Sequence, residues 1–123
     1  MRKFFLSMVV LTAAMPVVPA HASHKPNSYC SESGDVCVSA KMHNGERKLR
    51  IGLAAEYFES YKLCVVAPDD SRECIKRNIK DMGQTYGDSV NWSDHFPDGG
   101  EGAYKAIWRQ GGNRLGKVLG FHV

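Results

Sequence analysis

From residue 36 onward the chain alternates apolar and polar positions in short runs separated by turn-forming residues. Val36, Val38, Ala40 and Met42 occupy every second position before the "HNGE" turn at 43–46. Leu49, Ile51, Leu53 and Ala55 do the same through "RKLRIGLAAEYF". A period of two sends alternate side chains to opposite faces, so each run predicts a half-buried β-strand. Further strands are expected at 60–67, at 72–79 and in "TYGDSVNW", which carries Val90 and Trp92. Two more follow, "GAYKAIWR" with Tyr104, Ala106 and Trp108 on one face, and "NRLGKVLGFHV" with Leu115, Leu119 and Phe121. No stretch after residue 23 keeps helical periodicity for three turns. About seven short strands in roughly 90 residues predict an all-β sandwich of antiparallel sheets. Segments 80–85 and 93–101 read as loops, with room for a short helical turn in "SDHFPDGG".

Turn positions fix hairpin registers. "APDDS" is a strong turn signal, and folding about Asp69 sets Cys64 opposite Cys74 and Leu63 opposite Ile75. It also sets Tyr61 opposite Arg77, where stacking on the ring would accommodate an inward arginine. Lys62 then faces Lys76, a like-charge pair that must splay apart. In the last hairpin, Gly111-Gly112 at the centre of "RQGGNR" sets Trp108 against Leu115 and Tyr104 against Leu119. Lys117 would fall inward opposite Ala106, which predicts a β-bulge near Gly116. Gly102 and Tyr104 at the start of the penultimate strand resemble the tyrosine corner of immunoglobulin-like sandwiches. The Tyr104 hydroxyl is then expected to bond an upstream backbone group while its ring, with Trp108, packs in the core.

The first 22 residues change what composition means. Arg2 and Lys3 precede an apolar run from Phe4 to Val18, and Ala20-His21-Ala22 ends it. A basic head, a short apolar centre and an A-x-A end predict a secretory signal peptide over residues 1–22, leaving one domain at 23–123. A retained anchor would want about 20 apolar residues, so no membrane span is expected after processing. Without Arg2 and Lys3 the basic count of 16 falls to 14 against 13 acidic residues, a net charge of +1 rather than +3. A near-neutral exported domain gives no electrostatic case for nucleic acid. Arg47-Lys48-Leu49-Arg50 is the one dense basic run, and strand alternation makes it ordinary surface with Leu49 inward.

Export also decides the sulfur chemistry. Cys30, Cys37, Cys64 and Cys74 are an even set in a short exported chain, which reads as two disulfides with three possible connectivities. Neither pair has the two-to-four-residue spacing of zinc knuckles, nor a C-x-x-C redox arrangement. Strand geometry selects Cys64–Cys74 across the hairpin and Cys30–Cys37 about the Ser33-Gly34 step, where a short reversal clamps the N-terminal segment to the first strand.

Catalytic motifs are missing from the sequence. It contains no G-x-S-x-G elbow, no H-E-x-x-H pair, no P-loop and no glycine-rich dinucleotide turn. The one concentration of ligand-type groups is "SDHFPDGGEG", where Asp94, Asp98 and Glu101, with His95, could offer carboxylates to a calcium ion. Its spacing lacks the alternating carboxylates of an EF-hand loop, and the segment reads as turn chemistry, so no metal and no cofactor is assigned. Exposed aromatics for a partner are sought among Tyr57, Phe58, Tyr61, Tyr86, Trp92 and Phe96.

The stretches "YCSESGDVC", "YKLCVVAPDDSREC", "HFPDGGEGAYKAIWRQGGNRLG" and the terminal "LGF" together resemble a group of small exported bacterial proteins. That group has paired N-terminal cysteines, a second pair across a hairpin, and a Trp-Arg-Gln-Gly-Gly hairpin near its end. The resemblance spans nearly the whole chain after residue 23. It implies export, two disulfides and a β-sandwich, and brings no established activity or catalytic residues. The expected function is a secreted or periplasmic, non-catalytic binding or structural module whose partner is a macromolecule, either a protein or a cell-surface component. A secreted inhibitor or effector of an extracellular or host enzyme is the alternative class. A metal-dependent hydrolase around 88–101 is a third.

Overall fold

The computed structural model describes residues 25–123, so the expected signal peptide and His24 lie outside the described residues. Most of the described chain is β-strand and builds two antiparallel sheets. One sheet has the order β1 (Ser28–Cys30), β2 (Val36–His43), β3 (Glu46–Leu53), β7 (Tyr86–Asn91), β6 (Lys80–Asp81). The other has the order β5 (Arg72–Asn78), β4 (Ser60–Val66), β8 (Ala103–Gln110), β9 (Asn113–His122). One helical turn, α1 (Trp92–His95), follows β7. All seven expected strands form, and β1 and β6 add two short ones.

The two sheets share one core. Leu49 and Ile51 of β3 meet Leu63 and Val65 of β4, Trp108 and Tyr104 of β8, and Leu119 and Phe121 of β9. Trp108, Leu49, Leu63 and Leu119 are completely enclosed. A partly helical end closes one side, where the Trp92 ring sits edge-on to Tyr104 and Phe121 at centroid distances of 5.3 and 6.1 Å.

Both disulfides form with the expected connectivity, Cys30–Cys37 and Cys64–Cys74. The β4–β5 hairpin has the expected register, with Leu63 opposite Ile75, Tyr61 opposite Arg77 and Lys62 opposite Lys76. Its turn is held by Asp69, whose Oδ1 accepts both the N–H and the hydroxyl of Ser71 at 3.0 and 2.7 Å. Gly34, at φ +80°, takes the left-handed position in the reversal between β1 and β2. The N-terminal segment then bridges the sheets. Asn27 accepts the Ala40 N–H in one sheet and Pro26 accepts the Gly120 N–H in the other, both at 2.8 Å. This covers the backbone of β9, which would otherwise be an open sheet edge.

Several expectations are corrected. Tyr104 pairs with Phe121 and Ala106 with Leu119, because a bulge opens between the Trp108–Leu115 and Ala106–Leu119 pairs and shifts the register by two. Gly116 supports it at φ +73°, and a Cβ there would lie 2.9 Å from the Tyr29 ring. Beside the bulge Lys117 is exposed at the sheet edge, with Nζ 5.3 Å from the centroid of that ring. The apolar stripe of β2 ends at Ala40, since Met42 is 55% exposed. Arg47 covers that end of the core instead, with its guanidinium 5.0 Å over Phe121 and donating to the Ala40 and His122 carbonyls. The basic run at 47–50 is therefore split between core and surface. β3 stops at Leu53, leaving Ala55 exposed, and Trp92 belongs to α1 although it remains buried.

Candidate functional site

The interior polar chemistry gathers on Asp88, a residue the sequence does not single out. Asp88 lies on β7 facing the second sheet and is 3% exposed. Its Oδ2 accepts the Tyr61 hydroxyl at 3.0 Å and Arg77 Nε at 2.8 Å. Its Oδ1 accepts a second Arg77 nitrogen at 3.0 Å and Lys80 Nζ at 2.8 Å. All four acceptor positions of the carboxylate are occupied. Burial alone would push this carboxyl up. The bonds from Arg77, Lys80 and Tyr61 outweigh it and hold the group below its ordinary range. Burial and the Asp88 charge in turn push the Tyr61 hydroxyl far up, and the bond to Asp88 raises the Arg77 guanidinium. The arrangement links β4, β5, β6 and β7. A saturated, fixed carboxylate suits cross-bracing and leaves no lone pair for a substrate.

The loop after α1 is organised around Tyr104. Its hydroxyl donates to the Gly100 carbonyl at 2.7 Å and accepts the Gly99 N–H at 2.8 Å. Asp98 Oδ1 accepts the Gly100 N–H at 2.9 Å, and Asp94 accepts from Asn91 at 3.1 Å. Asp94 and Asp98 are thus spent on local bonds within the loop and Glu101 is left in solvent, and the fold does not converge them. Among the described residues, no group of three or more His, Cys, Asp or Glu side chains is placed to hold a metal ion. Of the aromatics considered for display, Tyr57 is 52% exposed while Tyr61, Trp92 and Phe96 are buried. Phe58 and Tyr86 are partly buried against the core.

The outer face of β5-β4-β8-β9 is different in kind. Register places Lys76 opposite Lys62, Lys62 opposite Arg109, and Arg109 opposite Arg114. One line of four cations therefore crosses the entire sheet. Adjacent strands lie about 4.8 Å apart, so the line spans about 14 Å. The next row holds the Cys64–Cys74 disulfide and Ile107, packed with Val118 as a small apolar cluster separate from the main core. The row beyond holds Arg72, Val66 and Lys105. Six cations thus stand at the outward positions of these four strands, and no carboxylate does. Cys64, Val66 and Ile107 are buried although they sit on the outer face, where the long stems of neighbouring Lys and Arg side chains can cover them.

Among the described residues the ion pairs are Lys48–Glu46, Arg77–Asp88 and Lys80–Asp88, so none of the six cations has one. Arg109 donates to the Gly112 carbonyl and Arg114 to the Gly116 carbonyl, each at 3.2 Å, which fixes both arginines while leaving most of their N–H groups to solvent. A shallow depression of about 490 Å³ runs beside the line, bordered by Ser60, Lys62, Lys76, Arg109 and Gln110. The sequence yields the Lys62–Lys76 pair from turn arithmetic. It hides the rest, because which strand lies beside β4 is a long-range fact that alternation does not encode.

No helix among the described residues is long and apolar enough to cross a membrane. No family model, curated protein or solved structure matches the chain.

Proposed function

We propose that this protein is an exported, non-catalytic binding module that meets a macromolecular partner through the outer face of β5-β4-β8-β9. The observation that carries the reading is the line Lys76, Lys62, Arg109 and Arg114, unrelieved by any carboxylate. Like charges directly opposite on neighbouring strands destabilise a sheet. A chain that is nearly neutral after processing and selected only to fold would intersperse its 13 acidic side chains among them. Keeping the cations together costs stability and creates a field aimed outward, which is the arrangement of a contact surface. The non-catalytic part of the reading is supported by Asp88, the one buried carboxylate among the described residues, whose lone pairs are all taken. Export is supported by the N-terminal leader pattern and the two disulfides. An immunoglobulin-like relationship, and membership of the exported bacterial group the sequence resembles, are in keeping with the division into β1-β2-β3-β7-β6 and β5-β4-β8-β9 and with the Tyr104 hydroxyl bond.

Co-sedimentation with the cell-envelope fraction of the producing organism tests this. The processed protein is expected to sediment with the envelope. A variant with Lys62→Gln, Lys76→Gln and Arg109→Gln is expected to stay in the supernatant. One with Lys41→Gln, Lys48→Gln and Arg50→Gln, three cations at outward positions of the other sheet, should behave as the parent. Equal retention of all three proteins would refute the assignment of the face.

A further inference from the structure

We infer that the cationic line binds an anionic polysaccharide chain laid across the strands, a step that rests on the binding-module reading above. The line is about 14 Å long and set by strand register and spacing rather than by flexible loops, so it matches a linear polymer carrying regularly spaced carboxylate or sulfate groups. Arg109 and Arg114, each tethered through one N–H, present the rest of their guanidinium forks for paired hydrogen bonds to such groups. The flanking chemistry suits sugar hydroxyls. Ser60 and Asn78 face each other in the adjoining row, and Ser60 and Gln110 border the depression. Neutral hydroxyl and amide groups beside a cation line can donate and accept where a glycan needs both.

The same face is poorly made for the other common polyanions. Single-stranded nucleic acid is gripped by aromatic side chains on which bases stack; no Phe, Tyr or Trp occupies an outward position of these four strands, and Tyr61, which borders the depression, is buried. A membrane surface is gripped by apolar side chains that enter the acyl boundary. Here Val66 and Ile107 are 9% and 7% exposed, and the exposed large apolar residues Met42, Tyr57, Met82 and Val123 all lie off this face.

The experiment is a titration of the processed protein with a heparin oligosaccharide as the probe, at physiological ionic strength. Neutral dextran, phosphatidylglycerol vesicles and oligothymidylate serve as comparators. Heparin should bind more tightly than each comparator. The Lys62→Gln, Lys76→Gln, Arg109→Gln variant should bind it about tenfold or more weakly, and the opposite-sheet variant less than about threefold more weakly. Should the first variant fail to fold, as judged by circular dichroism, Lys62→Gln with Lys76→Gln alters exposed side chains alone and supports the same comparison. Equal weakening by both charge variants would assign binding to net charge and overturn the inference. Tighter binding to vesicles or oligothymidylate would also overturn it, as would no heparin binding by the parent. In those cases the envelope co-sedimentation still decides separately whether the face is a contact surface.

Discussion

At the scale of single residues, the interior is held by a few polar side chains whose partners are fixed. Asp88 is the clearest. Removing its carboxylate strands Arg77 and Lys80 beside Tyr61, so Asp88→Ala should cost about 3–5 kcal/mol in denaturant unfolding. The pH dependence follows from the direction of its shift. The carboxyl is held below its ordinary value of 3.8, so its contribution is complete above that value and drains away as pH falls through the lower folded value. Acid titration of the parent should show this loss below about pH 4, and Asp88→Asn should flatten it. Tyr104→Phe removes one hydroxyl that serves both Gly99 and Gly100, and should lower stability by about 0.5–1.5 kcal/mol, the net contribution of such hydrogen bonds where water can reach the freed groups. The Tyr104 bond was legible from a short motif. Asp88 was not, because a lone Asp inside "YGDSVNW" looks like turn chemistry until Arg77 and Tyr61, from the other sheet, are brought to it.

At the scale of elements, alternation and turn residues located every long strand, and symmetry about Asp69 and about Ser33-Gly34 gave both disulfides. Where the reading failed, a non-local contact decided the outcome. Met42 lost its inward place to Arg47, whose stem and guanidinium cover Phe121 from the neighbouring strand. Tyr104 took Phe121 as its partner once the bulge at Gly116 absorbed two residues beside Tyr29. β1 was too short to announce itself, yet it is the element that the first disulfide fixes. In the loop-entropy model a ring of this size contributes about 2.5 kcal/mol. Cys30→Ser with Cys37→Ser should lose about that much and, with the cover over β9 loosened, raise hydrogen exchange at Gly120, whose N–H bonds Pro26. The cation line gives a prediction of opposite sign. Lys76→Glu places a carboxylate opposite Lys62 and should stabilise the fold by up to about 1 kcal/mol while weakening binding.

At the scale of the whole molecule, net charge conceals the feature that matters. Residues 23–123, with 14 basic and 13 acidic side chains, look electrostatically indifferent, yet the fold sorts six of the cations onto one sheet face and keeps carboxylates away from its outward positions. The disulfide Cys64–Cys74 sits in the middle of that face, where it ties the edge strand β5 to β4 and so holds Lys76 and Arg72 in line with the rest. Composition could exclude a uniformly basic protein. It could not reveal segregation, which depends on which strands become neighbours.

Lysine acetylation read by mass spectrometry, with and without envelope material, tests the assignment of this face at individual side chains. The account predicts that Lys62, Lys76 and Lys105 become protected in the bound state while Lys41, Lys48 and Lys117 react as before. Protection confined to the second group, or spread evenly over both, would contradict it.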